Sequence, residues 1–257
     1  MKTYNPRQSV ELFHLLFLSQ LGRKLDKKFY ALKGGCNMRF YFNSIRYSED
    51  MDIDIQTVGK ETLFKNVNQI FGSTPFKNIL KTHNLEILST STPKQTSTTQ
   101  RWKILLKSPF SVIPLNTKIE FSRREFHGEM DFESITPQIL KQYSLMPIMA
   151  NHYSIESMYK QKILALVGRT ETQARDIFDL YLLISSGSNF QLNDEITNEQ
   201  LSLAKENALS VSFSDFTGQV VAYLSEDYQT QYSDESVWNN IVMNVLQSLD
   251  NYKNDSN

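Results

Sequence analysis

Arg46-Tyr47-Ser48-Glu49-Asp50-Met51-Asp52-Ile53-Asp54-Ile55, downstream of Lys33-Gly34-Gly35-Cys36, is the stretch on which the reading of this chain turns. Successive side chains of a β-strand alternate faces. Asp50, Asp52 and Asp54 therefore share one side, and Met51, Ile53 and Ile55 take the other. Carboxylates so placed repel: at ~4 Å and an effective dielectric near 20, a close pair costs about 4 kcal/mol. A cation between them turns repulsion into attraction, and carboxylate oxygens suit magnesium or manganese. An isolated D-x-D-x-D is more often a solvated strand face. The glycine pair shifts the balance, because its spacing permits a strand, a turn and a helix ahead of the acidic strand. Such a layout puts backbone N–H groups at a helix N-terminus near a metal, as a nucleoside triphosphate requires.

Composition narrows the class. The 257 residues suffice for one large domain or two modest ones. A hydrophobic share of 40% and a charged share of 21% are ordinary for a soluble globular protein. One cysteine, Cys36, excludes an intramolecular disulfide and fits a reducing cytoplasm; it reads as a packing residue beside a glycine turn. No apolar run approaches the ~20 residues that span a bilayer, and no signal peptide is expected, since Glu11 and His14 interrupt the first apolar segment. The net charge of -1 conceals an asymmetry: residues 191–257 carry 11 acidic and 2 basic side chains, leaving the first 190 residues at +8. A polyanion suits that basic part; a merely solubilising acidic tail is the plain alternative.

Periodicity predicts a helix over 8–25 with Ser9 as N-cap, a strand over 29–33, a helix over 36–42, the acidic strand over 50–56 and a helix over 57–71 stopped by Ser73-Thr74-Pro75. Between 83 and 124 the apolar period changes to two, predicting strands around Leu85, Trp102 and Ile119, with Ser89–Gln100 as a long hairpin loop. Pro137 and Pro147 limit any helix over 131–149. From Ser154 onward the pattern is helical, in four or five helices, and a domain boundary is expected near 150.

Glu120, in Lys118-Ile119-Glu120-Phe121, is by itself an ordinary exposed strand residue. If its strand lies beside the acidic one, it adds a third carboxylate to Asp50 and Asp52, the set that two-metal phosphoryl transfer uses. Lys162 falls on the apolar stripe of the helix from Ser154, either snorkelling or meeting an anion inside. Asp176 either complements a helix N-terminus or meets Lys162, and Arg175 and Asp179, one turn apart, are placed to pair. His14, His83, His127 and His152 show no metal-ligand spacing.

Taken together, Leu32-Lys33-Gly34-Gly35, the block Arg46 to Asp54, Lys118-Ile119-Glu120, Gln161 to Leu166 and Ala174 to Tyr181 resemble the AbiEii/AbiGii (MenT-like) nucleotidyltransferase toxins, over roughly residues 30–185. The resemblance implies an α/β (α+β) fold: a DNA polymerase β-like catalytic domain with a mixed sheet over 1–150, then a helical domain over 151–257 that brings Lys162 and Asp176 to the cleft. It implies Mg2+ or Mn2+ on Asp50, Asp52 and Glu120, catalytic roles for Lys162 and Asp176, and nucleotide contacts from Gly34, Gly35, Ser48 and Lys162. The expected function is a cytoplasmic, antitoxin-controlled toxin moving a nucleoside monophosphate from an NTP to RNA, chiefly the tRNA 3′ end, with no membrane partner. A protein or small-molecule acceptor, and a catalytically retired nucleotide-binding module, are the alternatives. Cys36 replaces the family's usual Thr or Ser, and Gln161 a glutamate. Arg101, Lys103, Lys107, Arg123 and Arg124 are the expected RNA contacts.

Overall fold

A computed structural model describes residues 4–123, 125–187, 190 and 196–254, with side chains described as far as Asn251. It divides into two compact units, one of 1–43 and 47–153, the other of 44–46 and 154–257.

The first unit is built on a mixed seven-stranded sheet among the described residues. Its strands are β1 (Tyr30–Lys33), β2 (Asp50–Ile55), β3 (Glu86–Gln95), β4 (Thr99–Lys107), β5 (Leu115–Ser122), β6 (Met130–Ser134) and β7 (Met149–Tyr153), in the order β3-β4-β5-β2-β1-β7-β6. Only β2/β5 and β1/β7 are parallel pairs. Alternation along the strands decides what faces where. Met51, Ile53, Trp102, Ile104, Ile119 and Phe121 are buried, and they share one hydrophobic cluster with Phe13 and Phe17 of α1 (Pro6–Lys24), Leu63 and Val67 of α3 (Lys60–Gly72), and Phe76 and Leu80 of α4 (Thr74–Thr82). The opposite face is left to Asp50, Asp52, Glu120 and the basic residues between them. Two further helices, α2 (Gly34–Tyr41) and α5 (Pro137–Tyr143), complete the unit.

Local chemistry moves several boundaries from their sequence-based positions. Helix α1 starts two residues early, because Asn5 rather than Ser9 caps it, in a reciprocal capping box with Gln8. Ser73, expected to break a helix, ends α3 and caps α4, with Pro75 in the first turn where a missing N–H costs nothing. Pro137 likewise starts α5. The expected Ser/Thr loop is mostly strand: β3 runs to Gln95, β4 resumes at Thr99, and only residues 96–98 turn. Edge position explains this. β3 pairs only with β4, and Pro93 lies inside a register shift between Ser91 and Lys94, where no ladder N–H is demanded of it.

The second unit is helical, with, among the described residues, α6 (Ile155–Gly168), α7 (Ala174–Ser185), α8 (Asn198–Leu209), α9 (Phe213–Gln219), α10 (Glu226–Gln231) and α11 (Glu235–Asn254), one or two helices more than expected. Its core is aromatic. Phe178 meets Phe216 and, edge-on, Tyr232; Phe216 stacks on Trp238 with centroids 4.5 Å apart. No helix among the described residues is long and apolar enough to cross a membrane.

Candidate active site

The strand register assembles the candidate site of the first unit. β2 lies parallel to β5 with Asp50 opposite Lys118, Asp52 opposite Glu120 and Asp54 opposite Ser122. On the other flank, β1 sets Lys33 opposite Asp52. Beyond β5, β4 sets Arg101 opposite Glu120 and Lys103 opposite Lys118. Residues paired across strands share a face. A row Lys33, Asp52, Glu120, Arg101 therefore crosses four strands, cation outside and carboxylate inside.

Ion pairs follow from that row and its neighbours. Asp50 accepts the Lys118 backbone N–H at 3.1 Å and the Lys118 ammonium at 2.7 Å. Arg101 Nε donates to Glu120 at 2.5 Å. Asp54, more deeply placed, accepts Lys33 Nζ at 2.5 Å and the Tyr153 hydroxyl at 2.7 Å. Asp52 differs from all of them: among the described residues it accepts no side-chain hydrogen bond and has no ion-pair partner. Burial raises its carboxyl pKa; Lys118 and Lys33 hold it down, while Glu120 and Asp50 push it further up. Four carboxylates against Lys33, Lys118 and Arg101 leave one negative charge in excess, centred on Asp52.

That donor set fits a divalent cation. Asp52 and Glu120 are immediate cross-strand neighbours, Asp50 shares their face, and the oxygens of Asp50 and Glu120 keep lone pairs beyond their present bonds. Among the described residues, no three His, Cys, Asp or Glu side chains already converge as a cation cage. Lys118 and Arg101 draw Asp50 and Glu120 towards themselves instead.

Gly34 opens α2 at φ +62°, a conformation that glycine adopts without strain. A β-carbon there would lie 3.4 Å from Asp52 Oδ2, so the start of α2 borders the carboxylate row. Gly35 occupies the first turn, and no side chain caps the helix. Ser48 donates its hydroxyl to Asp50 O at 2.8 Å, a bond it would have to give up to donate to a phosphate. Cys36 is buried and points inward, its thiol donating to that same carbonyl at 3.3 Å. Beneath lies His14. Thr117 gives its single hydroxyl proton to Glu49 O at 2.6 Å, so the His14 nitrogen 2.7 Å from Thr117 Oγ1, Nε2, must be the donor. Burial holds His14 neutral, lowering its pKa from 6.5 to about 4 against the raising influence of Asp50.

In the second unit Lys162 and Asp176 meet directly. Lys162 Nζ lies 2.8 Å from Asp176 Oδ1 and 2.6 Å from Asp179 Oδ2. Arg169 Nε approaches Asp176 Oδ2 at 2.7 Å without hydrogen-bond alignment. Asp179 also takes both oxygens to Arg46, at 3.1 and 3.2 Å, and not to Arg175 as helical spacing suggests. Burial opposes the Lys162 ammonium, yet Asp176 and Asp179 outweigh it and its pKa rises. Burial equally opposes the Asp176 carboxylate, which Lys162 and Arg169 bring below the ordinary range. Three cations surround two carboxylates.

Sequence reasoning missed Lys118 and Lys33 as partners of the acidic strand, and Arg46 as a partner of Asp179. For Lys118 a signal exists, since it precedes Glu120 by two residues and so shares its face. For Arg46 none does: 133 residues separate it from Asp179. Of the expected RNA contacts, Lys103 and Lys107 are exposed on β4, Arg101 is bound to Glu120, and Arg123 bonds Gln100 and the Val58 carbonyl. Arg124 lies outside the described residues.

Comparisons with known proteins converge on one class. The family model of the nucleotidyl transferase AbiEii toxin, Type IV toxin–antitoxin system, matches residues 16–231. Among curated proteins, none matches. The fold is similar to that of MenT4, a nucleotidyltransferase toxin from Mycobacterium tuberculosis, with TM-score 0.64 and 14% identity over 95% of this chain and 84% of that one. It is also similar to JHP933 from Helicobacter pylori, with TM-score 0.56 and 16% identity over 99% and 97% of the two chains.

Proposed function

Because the chain belongs to the AbiEii nucleotidyltransferase toxin family, and so takes an NTP as substrate and an antitoxin as partner, we propose that it transfers a nucleoside monophosphate onto RNA at the tRNA 3′ end. In this reading Asp50, Asp52 and Glu120 hold Mg2+ or Mn2+, as nucleotidyltransferases of this kind generally do. The observation that carries it is the register of β2 on β5, which sets Asp52 beside Glu120 on the face of Asp50. A bound divalent cation supplies neutralisation of the triphosphate and a more acidic acceptor hydroxyl.

The chain's own groups do the rest. Gly34 and Gly35 let the α2 backbone approach the phosphates, with uncapped N–H groups as donors. Lys162 is assigned the triphosphate and Asp176 its orientation; the surplus cation of their cluster supports an anion there. Ser48 holds the Asp50 carbonyl and so helps aim its carboxylate.

Incubation with each labelled NTP, magnesium and total cellular RNA tests the proposal. Label at RNA 3′ ends, lost in Asp52→Asn, is the expected result. Label on protein or a small molecule would redirect the acceptor, and no label from any NTP would return the fold to a nucleotide-binding role. The basic excess of the first 190 residues favours RNA over those alternatives.

A further inference from the structure

The carboxylate face comes with its own cations, and they are not placed alike. Lys33 donates to Asp54 and, at 3.0 Å, to Ser122 Oγ, and Asp54 is held in turn by the Tyr153 hydroxyl, so Lys33 has two partners and both are buried. Lys118 and Arg101 are different. Each is partly exposed, each holds one carboxylate of the candidate metal set, and neither has another side-chain partner among the described residues. Their pairs are open to water, where such contacts are weak and readily exchanged. Lys118 is also fixed at its root, because its own backbone N–H donates to the Asp50 carboxylate that its ammonium caps. When the ammonium lets go, it remains within a side chain's length of Asp50, on the same exposed face.

We propose that Lys118 is a resident counterion of the metal site: its ammonium neutralises Asp50 while no metal is bound, yields that carboxylate to a divalent cation, and then binds the triphosphate. Arg101 does the same for Glu120. The inference rests on the metal reading above. Two consequences follow from charge alone. Without metal, Lys118 and Arg101 are committed to Asp50 and Glu120 rather than offered to a nucleotide, so a triphosphate by itself binds more weakly than it does with metal. With metal, two positive side chains are released beside the phosphates, so metal and nucleotide bind with positive coupling.

The test uses the full-length protein and Mn2+ as the probe, with binding read by electron paramagnetic resonance and nucleotide binding by calorimetry with a non-hydrolysable NTP analogue. Lys118→Met removes the competitor, so Mn2+ alone binds roughly threefold to tenfold tighter than to wild type. The same variant binds the analogue in saturating Mn2+ at least tenfold more weakly. Lys118→Arg keeps the charge and stays near wild type in the first measurement. Should Lys118→Met fold poorly, Lys118→Gln, which keeps the stem and a donor, gives the same two readings. Unchanged or weaker Mn2+ binding in both neutral variants overturns the inference while the metal reading stands. Absence of Mn2+ binding by the wild type overturns both.

Discussion

At the residue scale, three aspartates with the same spacing have three different environments. Asp50 is capped by one lysine, Asp52 has no hydrogen-bond or ion-pair partner among the described residues, and Asp54 is held by Lys33 and Tyr153. Asp52→Asn is expected to abolish transfer and leave thermal stability unchanged or slightly raised, since it removes a carboxylate that burial disfavours more than Lys118 and Lys33 support it. Asp54→Ala should do the opposite. It costs roughly 1.5–3 kcal/mol in a urea melt by stranding charge-assisted bonds, and saturating metal does not restore it. His14 supplies a pH signature. Its folded pKa of about 4 lies below the ordinary 6.5, so above pH 6.5 both folded and unfolded chains carry it neutral. As pH falls from 6.5 towards 4 the unfolded state takes a proton that the folded state refuses, and stability drops by about 3 kcal/mol in total. His14→Gln, which can still donate to Thr117, should flatten that part of the stability–pH curve; an unchanged curve would place the acid sensitivity elsewhere.

Among elements, α6 and α7 are joined through charge in the middle of an apolar packing. Lys162→Met keeps the volume but leaves Asp176 and Asp179 facing each other with fewer cations. It should cost roughly 3–5 kcal/mol in chemical denaturation, so activity lost in this variant counts for the triphosphate role only if folding is shown intact. A destabilisation below about 1 kcal/mol would mean that Arg46 and Arg169 suffice for both carboxylates. At the β1–α2 junction, Gly34→Ala forces a side chain into φ +62° and sets its β-carbon 3.4 Å from Asp52 Oδ2. The expected cost is about 1 kcal/mol of stability with a larger loss of transfer, whereas Gly35→Ala, in helical backbone, should fold normally.

Over the whole molecule the decisive quantity is the charge distribution, basic to residue 190 and acidic beyond. If RNA is the acceptor, its binding releases counterions, with a log–log salt slope near -0.7 per phosphate neutralised on single strands. Lys103 and Lys107, exposed on β4, are the contacts that remain available, because Arg101 and Arg123 are already engaged. Replacing both lysines by glutamine should make the slope shallower by about 1.4 and leave analogue binding unchanged. A salt-independent affinity for the true acceptor would argue for a protein or small molecule instead.

What the sequence determined by itself was whatever follows from short-range periodicity. Alternation over Asp50–Ile55 set the acidic face, the glycine pair marked the strand-to-helix turn, and the apolar stripe of the helix from Ser154 put Lys162 on it while leaving open whether it snorkels or meets an anion inside. These rest on neighbours within a few residues, where backbone geometry alone fixes direction. Caps and edges were less legible. Asn5 outcompeted Ser9 through a reciprocal bond with Gln8, and an exposed edge let a Ser/Thr-rich stretch be strand. Only the tertiary structure decided which charges meet. Lys118 reaches Asp50 and Glu120 flanks Asp52 because β5 pairs with β2 across 68 residues of chain, in one register out of several that local propensity allows equally. Glu11, which reads as a polar interruption of an apolar helix, is buried against Arg39 and the Tyr143 hydroxyl for the same reason. A buried charge is specified by its partner, and partners distant in sequence are brought together by packing, which no local pattern encodes.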